Sequence, residues 1–146
     1  MSLLNVCRLV VLATVCVALA GPVARGQDVI SPGLEVLEDA LLEGEPSVRV
    51  RTSESAAERV ELSDSEAASE RLEIRVESGR YLWASRDDAL LQSRQVGEYT
   101  YLSSADSPGE YIRITRLNDR LSYVEHLETA GGHVTYWGEL SIRLGR

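Results

Sequence analysis

The chain has 146 residues, with 23 acidic against 15 basic side chains and a net charge of −8. That balance excludes a protein that works by neutralising phosphates, so nucleic acid and anionic membrane surfaces are poor partners. The length suits one domain with a modest core.

Met1–Arg8 forms a short n-region ending in one positive charge, and Leu9–Ala20 is an unbroken apolar run of twelve. Small residues at Ala18 and Ala20 complete the pattern of a secretory signal peptide over 1–20, with cleavage after Ala20 or a later cut near Gly26. The run falls short of the ~20 apolar residues that a membrane-spanning helix needs, so no transmembrane span is expected after cleavage. Both cysteines, Cys7 and Cys16, lie in this leader. The exported part therefore has neither disulfide nor thiol chemistry and must be held by its apolar core. That leans towards a bacterial envelope protein, periplasmic or extracellular. All the basic residues are arginine, a feature of composition with no functional weight.

Charge and aromatic content divide the remainder. Gln27–Glu70 carries twelve acids and three arginines, whereas Arg71–Arg146 carries eleven and ten. Every Tyr and Trp follows residue 80. This predicts an acidic N-terminal extension over 21–46 and a single β domain over 47–146, best defined over 71–146. Within Asp28–Glu45, Ser31 suits a helix cap, Pro32 the first helical position and Gly44 the stop. Leu34, Leu37 and Leu41 share one face of that short acidic amphipathic helix. Over Ser47–Ser69, Val48 and Val50 alternate with arginines, and Arg59–Leu62 also alternates. These segments read as two strands joined by Ser53–Ala57, although the Ser, Glu and Ala content suits a helix or linker equally well.

From Arg71 the alternation is clear. Leu72, Ile74 and Val76 share a face, Ser78-Gly79 marks a two-residue turn, and Val76 and Ile74 then face Tyr81 and Trp83. A turn over Arg86–Ala89, a strand over Leu90–Gln95, a strand over Glu98–Ser104 and a loop over Ala105–Gly109 follow. In Glu110–Leu127, Asn118-Asp119 tolerates the left-handed backbone of a hairpin turn. That register sets Ile114 against Tyr123 and Ile112 against Glu125, with Arg113, Thr115, Ser122 and His126 on the other side. Thr129–Gly132 turns the chain, His133–Trp137 returns, Gly138 marks a bend, and Leu140, Ile142 and Leu144 alternate in a last strand. About eight strands after residue 70 predict a mostly all-β chain, an antiparallel meander forming a small barrel or sandwich.

Motifs for serine hydrolysis, zinc proteolysis, phosphate loops and dinucleotide binding are absent from the sequence. His126 and His133 flank one tight loop near Glu125 and Glu128, but their spacing matches no metal motif, so neither metal nor cofactor is expected. Glu125 falls on an apolar face and needs a cation, with Arg116 or Arg113 as the nearest choices on the hairpin. Tyr and Trp combine an apolar body with a polar edge, which suits sugar stacking on a sheet or the lining of a small pocket. Tyr99, Tyr101, Tyr111, Tyr136, Trp137 and Glu125 are the candidate ligand-binding residues. Tyr136 and Trp137 are adjacent in one strand and must point to opposite faces. The leading expectation is a non-catalytic binding module for a carbohydrate, a small ligand or an envelope protein partner. The alternatives are a structural or assembly protein that docks through its acidic helix or a sheet edge, and a small secreted hydrolase using Glu125.

Overall fold

The computed structural model describes residues 37–145. The leader and residues 21–36 of the expected N-terminal extension lie outside these described residues. Nine strands and one short helix run in the order β1 (Asp39–Thr52), β2 (Ala57–Glu61), α1 (Asp64–Ser69), β3 (Leu72–Glu77), β4 (Arg80–Trp83), β5 (Ala89–Val96), β6 (Tyr99–Ser104), β7 (Tyr111–Leu117), β8 (Arg120–Thr129) and β9 (Gly132–Leu144). Each strand from β3 to β9 pairs antiparallel with the next. The first half of β1 pairs with both β3 and β9, which closes an eight-stranded barrel. The second half of β1 keeps β9 on one side and takes β2 on the other, after a register shift between Pro46 and Val48. The chain is thus a closed antiparallel barrel with one extra strand.

The alternation of the sequence decides which side chains go inside. Leu42, Leu72, Ile74, Leu102, Ile112 and Ile114 are fully buried, with Trp83 and Tyr123 as the largest rings. Charged and polar groups line the outside, including Glu73, Arg75, Arg94, Arg113 and Glu139, the reverse of what a lipid-facing barrel presents. Left-handed backbone at Ser78-Gly79 and at Asn118-Asp119 makes two of the tight hairpins. The expected registers hold, with Ile74 against Trp83, Val76 against Tyr81, Ile114 against Tyr123 and Ile112 against Glu125.

Two glycines shape the interior. Tyr123 lies opposite Gly138 in the β8–β9 register. A Cβ on Gly44 would come within 2.6 Å of the Tyr123 ring, and one on Gly138 would stand 2.8 Å from it. The ring therefore occupies a slot that only glycine leaves open on β1 and β9.

Three expectations are corrected. Asp39–Gly44 is strand and not helix, because Ala40 and Leu42 point inward and long-range pairing on both sides outweighs the local acidic, Leu-rich pattern. Gly44 is a space-maker in that strand and not a helix stop, and the boundary expected at 46/47 falls inside β1. Seven strands follow residue 70 among the described residues, because β9 runs through Gly138 without a break. The ambiguous stretch Ser47–Ser69 resolves into the second half of β1 paired with β2 as a hairpin, followed by α1. The Glu66 carboxylate starts α1 by accepting the Ser63 backbone N–H at 2.9 Å and its hydroxyl at 2.6 Å. The helix then delivers Glu70 and Arg71 to one end of the barrel.

Candidate functional site

Alternation that buries one side of β6–β9 exposes the other. In register across the outer surface stand Arg94, Tyr101, Arg113, Val124 and Trp137, one from each of five consecutive strands. The neighbouring row carries Ser103, Tyr111, His126 and Thr135. Between and along these rows four rings make a continuous series. Tyr101 and Tyr111 are 5.8 Å apart and tilted by 49°. Tyr111 and His126 stack at 5.1 Å, and His126 and His133 at 5.0 Å. Nearly parallel rings at that separation must overlap face to face, so they stand up from the sheet. What they offer outward is their edges, with tyrosine hydroxyls and imidazole nitrogens, and not the flat platform that their composition first suggests. His126 Nδ1 shares a 2.9 Å hydrogen bond with the Thr135 hydroxyl, which leaves Nε2 for another partner.

Electrostatics on this face differ from those of the acidic chain as a whole. The Arg113 guanidinium lies over the Tyr99 ring at 5.0 Å. Neither Arg113 nor Arg94 has a carboxylate within ion-pair distance among the described residues. Burial, and then the neighbouring His133, hold His126 below the ordinary imidazole value, while Glu128 and Glu110 work against that shift. No third His, Cys, Asp or Glu joins the histidine pair in a metal-holding cluster among the described residues. Two grooves border the rows. One is lined by Arg94, Tyr101, Ser103 and Tyr111, the other by Arg113, Ser122 and Trp137.

A different arrangement occupies the end of the barrel interior. Glu125 is 0% exposed. Its Oε1 accepts the Trp83 indole N–H at 3.2 Å and lies 3.4 Å from the Arg86 guanidinium. Arg86 belongs to the β4–β5 turn and reaches over the barrel end while remaining 38% exposed. Glu125 Oε2 and the Tyr123 hydroxyl, two residues earlier on the same inner face, have no hydrogen-bond partner. Burial pushes the Glu125 carboxyl up to about 7, with Arg86 and Trp83 opposing and Glu70 and Glu110 adding to the rise. Beside it in register, Tyr136 donates its hydroxyl to Glu70 Oε2 at 3.0 Å, and Glu70 pairs with Arg49 at 3.8 Å. Burial and that carboxylate push the Tyr136 phenol up to about 12.

Comparison with known proteins adds no family. No family model, curated protein or solved structure matches the chain. The geometry of the chain's own residues therefore carries the functional argument.

Of the six residues expected to bind ligand, Tyr99, Tyr101, Tyr111 and Trp137 share the outer face, whereas Tyr136 and Glu125 are inside the barrel. The adjacent pair Tyr136 and Trp137 does point to opposite sides, with Tyr136 buried and Trp137 37% exposed. The cation beside Glu125 is neither Arg116 nor Arg113 but Arg86, from a turn that lies forty residues away in order and is brought near by closure of the barrel. Trp83 was legible as core, but not as a hydrogen-bond donor to Glu125. His126, His133 and Arg113 complete the outer face. Their signal in the sequence was position alone, at outward places in strands that also carry Tyr. Glu125 is the one carboxylate on the inner face of the barrel strands among the described residues, and it is not exposed.

Proposed function

We propose that this chain is an exported, non-catalytic binding domain that holds a carbohydrate on the outer face of β6–β9. The observation that carries the reading is the ring series from Tyr101 through Tyr111 and His126 to His133, flanked by Arg113 and Trp137. Half-buried and exposed rings that present polar edges, beside hydroxyls such as Ser122 and Thr135, supply the mixture of apolar contact and hydrogen bonding that sugars take up. Export is supported by the leader pattern in residues 1–20. Of the docking helix in the assembly alternative, Asp39–Gly44 is instead part of β1, and residues 28–36 lie outside the described residues. The sheet edge that it retains is β2, whose exposed Glu58, Arg59 and Glu61 discourage strand addition.

Tryptophan emission tests the reading directly. Trp83 is buried and Trp137 is 37% exposed, so a ligand on the outer face changes the signal of Trp137. Saturable change with a polysaccharide, lost in Trp137→Phe together with a weaker affinity by calorimetry in Tyr111→Ala, is the expected result. Emission and heats that no polysaccharide alters would overturn it.

A further inference from the structure

The outer face carries two arginines with no carboxylate within ion-pair distance among the described residues, and this selects among sugars. Arg94 and Arg113 sit on β5 and β7, in one register row with Tyr101 between them. Their backbones are two strand spacings apart, about 10 Å, roughly the span of a disaccharide repeat. Arg113 packs over Tyr99 and has a buried Nε with no hydrogen-bond partner. Tyr101 and Tyr111 add hydroxyl donors at the ring edges, and His126 adds the nitrogen that Thr135 leaves open. Two of the nearby carboxylates have partners, while Glu98 stands beside Tyr99 and Glu128 near His126. Glu139 pairs with Arg120 at 2.8 Å, and Glu110 accepts the Glu128 backbone N–H at 3.2 Å. In a chain of net charge −8, two arginines on one aromatic face without carboxylate partners among the described residues offer cations to an external anion.

From this charge complementarity we infer that the occupant of the face is a linear acidic polysaccharide, whose carboxylates lie on Arg94 and Arg113 and whose rings run along Tyr101, Tyr111 and Trp137. Guanidinium matches carboxylate with two parallel donors, which fixes the chain's register as well as holding it. The two grooves receive successive parts of one chain, Arg94 serving the first and Arg113 the second. A neutral glucan would leave both cations without an acceptor. This inference rests on the binding face proposed above and adds the class of sugar.

The experiment uses the full exported chain and calorimetric titration at low salt. The probes are polygalacturonate, alginate and hyaluronan, with highly methyl-esterified pectin as the charge-free counterpart of polygalacturonate and dextran as a neutral control. The expected result is saturable binding of at least one acidic polymer. Arg113→Gln or Arg94→Gln then weakens binding roughly tenfold, the loss of one charge-assisted contact, and removal of the polymer charge, which loses both contacts, weakens it further. Arg80→Gln, an exposed arginine on β4, leaves the affinity unchanged. Arg94 is exposed and has no ion pair, so its variant keeps the fold even if Arg113→Gln disturbs the sheet. Equal binding of methyl-esterified and acidic polymer, or acidic binding indifferent to Arg94→Gln, would overturn the charge inference and leave the carbohydrate reading standing. No binding of any polymer would overturn both.

Discussion

Replacing Glu125 by Gln separates the charge of this side chain from its shape. The wild-type carboxyl has no exposure, and burial raises it from 4.5 to about 7. Below pH 4.5 it is protonated in both folded and unfolded chains and contributes no pH dependence. Between 4.5 and 7 the unfolded chain releases the proton and the folded chain keeps it, so stability falls as pH rises through this window and levels off above 7. The difference corresponds to about 3 kcal/mol. Gln keeps the volume and still accepts the Trp83 N–H, but cannot ionise. Urea unfolding of both proteins at half-unit steps from pH 4.5 to 8.5, followed by Trp83 emission, measures the stability difference while the other carboxylates cancel. The variant is expected to equal wild type near pH 4.5 and to exceed it by about 3 kcal/mol at pH 8. A difference that stays flat refutes the argument. So does one in which wild type gains as pH rises, because that requires a carboxylate held ionised by Arg86 and a folded value below the unfolded one.

Other expectations follow from the same packing. Arg86→Ala removes the cation nearest Glu125, so the midpoint of that pH difference moves upward. At pH 8, breaking this pair, in which Arg86 is 38% exposed and Glu125 is buried, costs about 1–3 kcal/mol, read by the same titration. Gly44→Ala drives a methyl into the Tyr123 ring and destabilises by about 1–3 kcal/mol, less in a Tyr123→Leu background, as a double-mutant cycle in urea would show. Because burial and His133 hold His126 below its ordinary value, the folded protein resists protonation there. Wild type therefore loses stability relative to His126→Gln as pH falls below 6.5, and an unchanged difference across pH 7.5 to 5 would exclude the coupling. Trp137→Phe leaves only blue-shifted emission that iodide does not quench, since Trp83 is 1% exposed.

The meander was legible because its strands are amphipathic with period two, and because Ser78-Gly79 and Asn118-Asp119 state their turn geometry locally. Closure was not legible. It depends on β1, where the acidic Leu-rich stretch around Leu37 and Leu41 satisfies a helical pattern as well as a strand pattern. The pairs that decide between them, Leu42 with Ile74 and with Ile142, come from distant parts of the chain. The same closure hides the partner of Glu125. A hairpin argument searches the strand opposite, whereas the cation arrives from the β4–β5 turn at the barrel end. The outer face was half legible. Tyr99, Tyr101 and Tyr111 stood out by residue type, but only the register shows that His126 continues the series across β8.

The inner and outer residues make different demands on the sequence. The inner set explains itself, since Tyr123 in its glycine slot and Trp83 on Glu125 fill a closed barrel, and β-strand pairing needs little more. The outer rings are not needed for that. Cross-strand ring pairs contribute roughly 0.2–1 kcal/mol each, and threonine or valine would serve as well on a solvated strand face. Their cost is a row of apolar surface left in water, bordered by arginines that pair with no carboxylate. A role in stability alone accounts for each ring contact singly, but not for a run of four rings ending beside two unpaired cations. The acidic sugar chain proposed above would account for both at once, because it would cover the rings and neutralise Arg94 and Arg113 in the same act of binding.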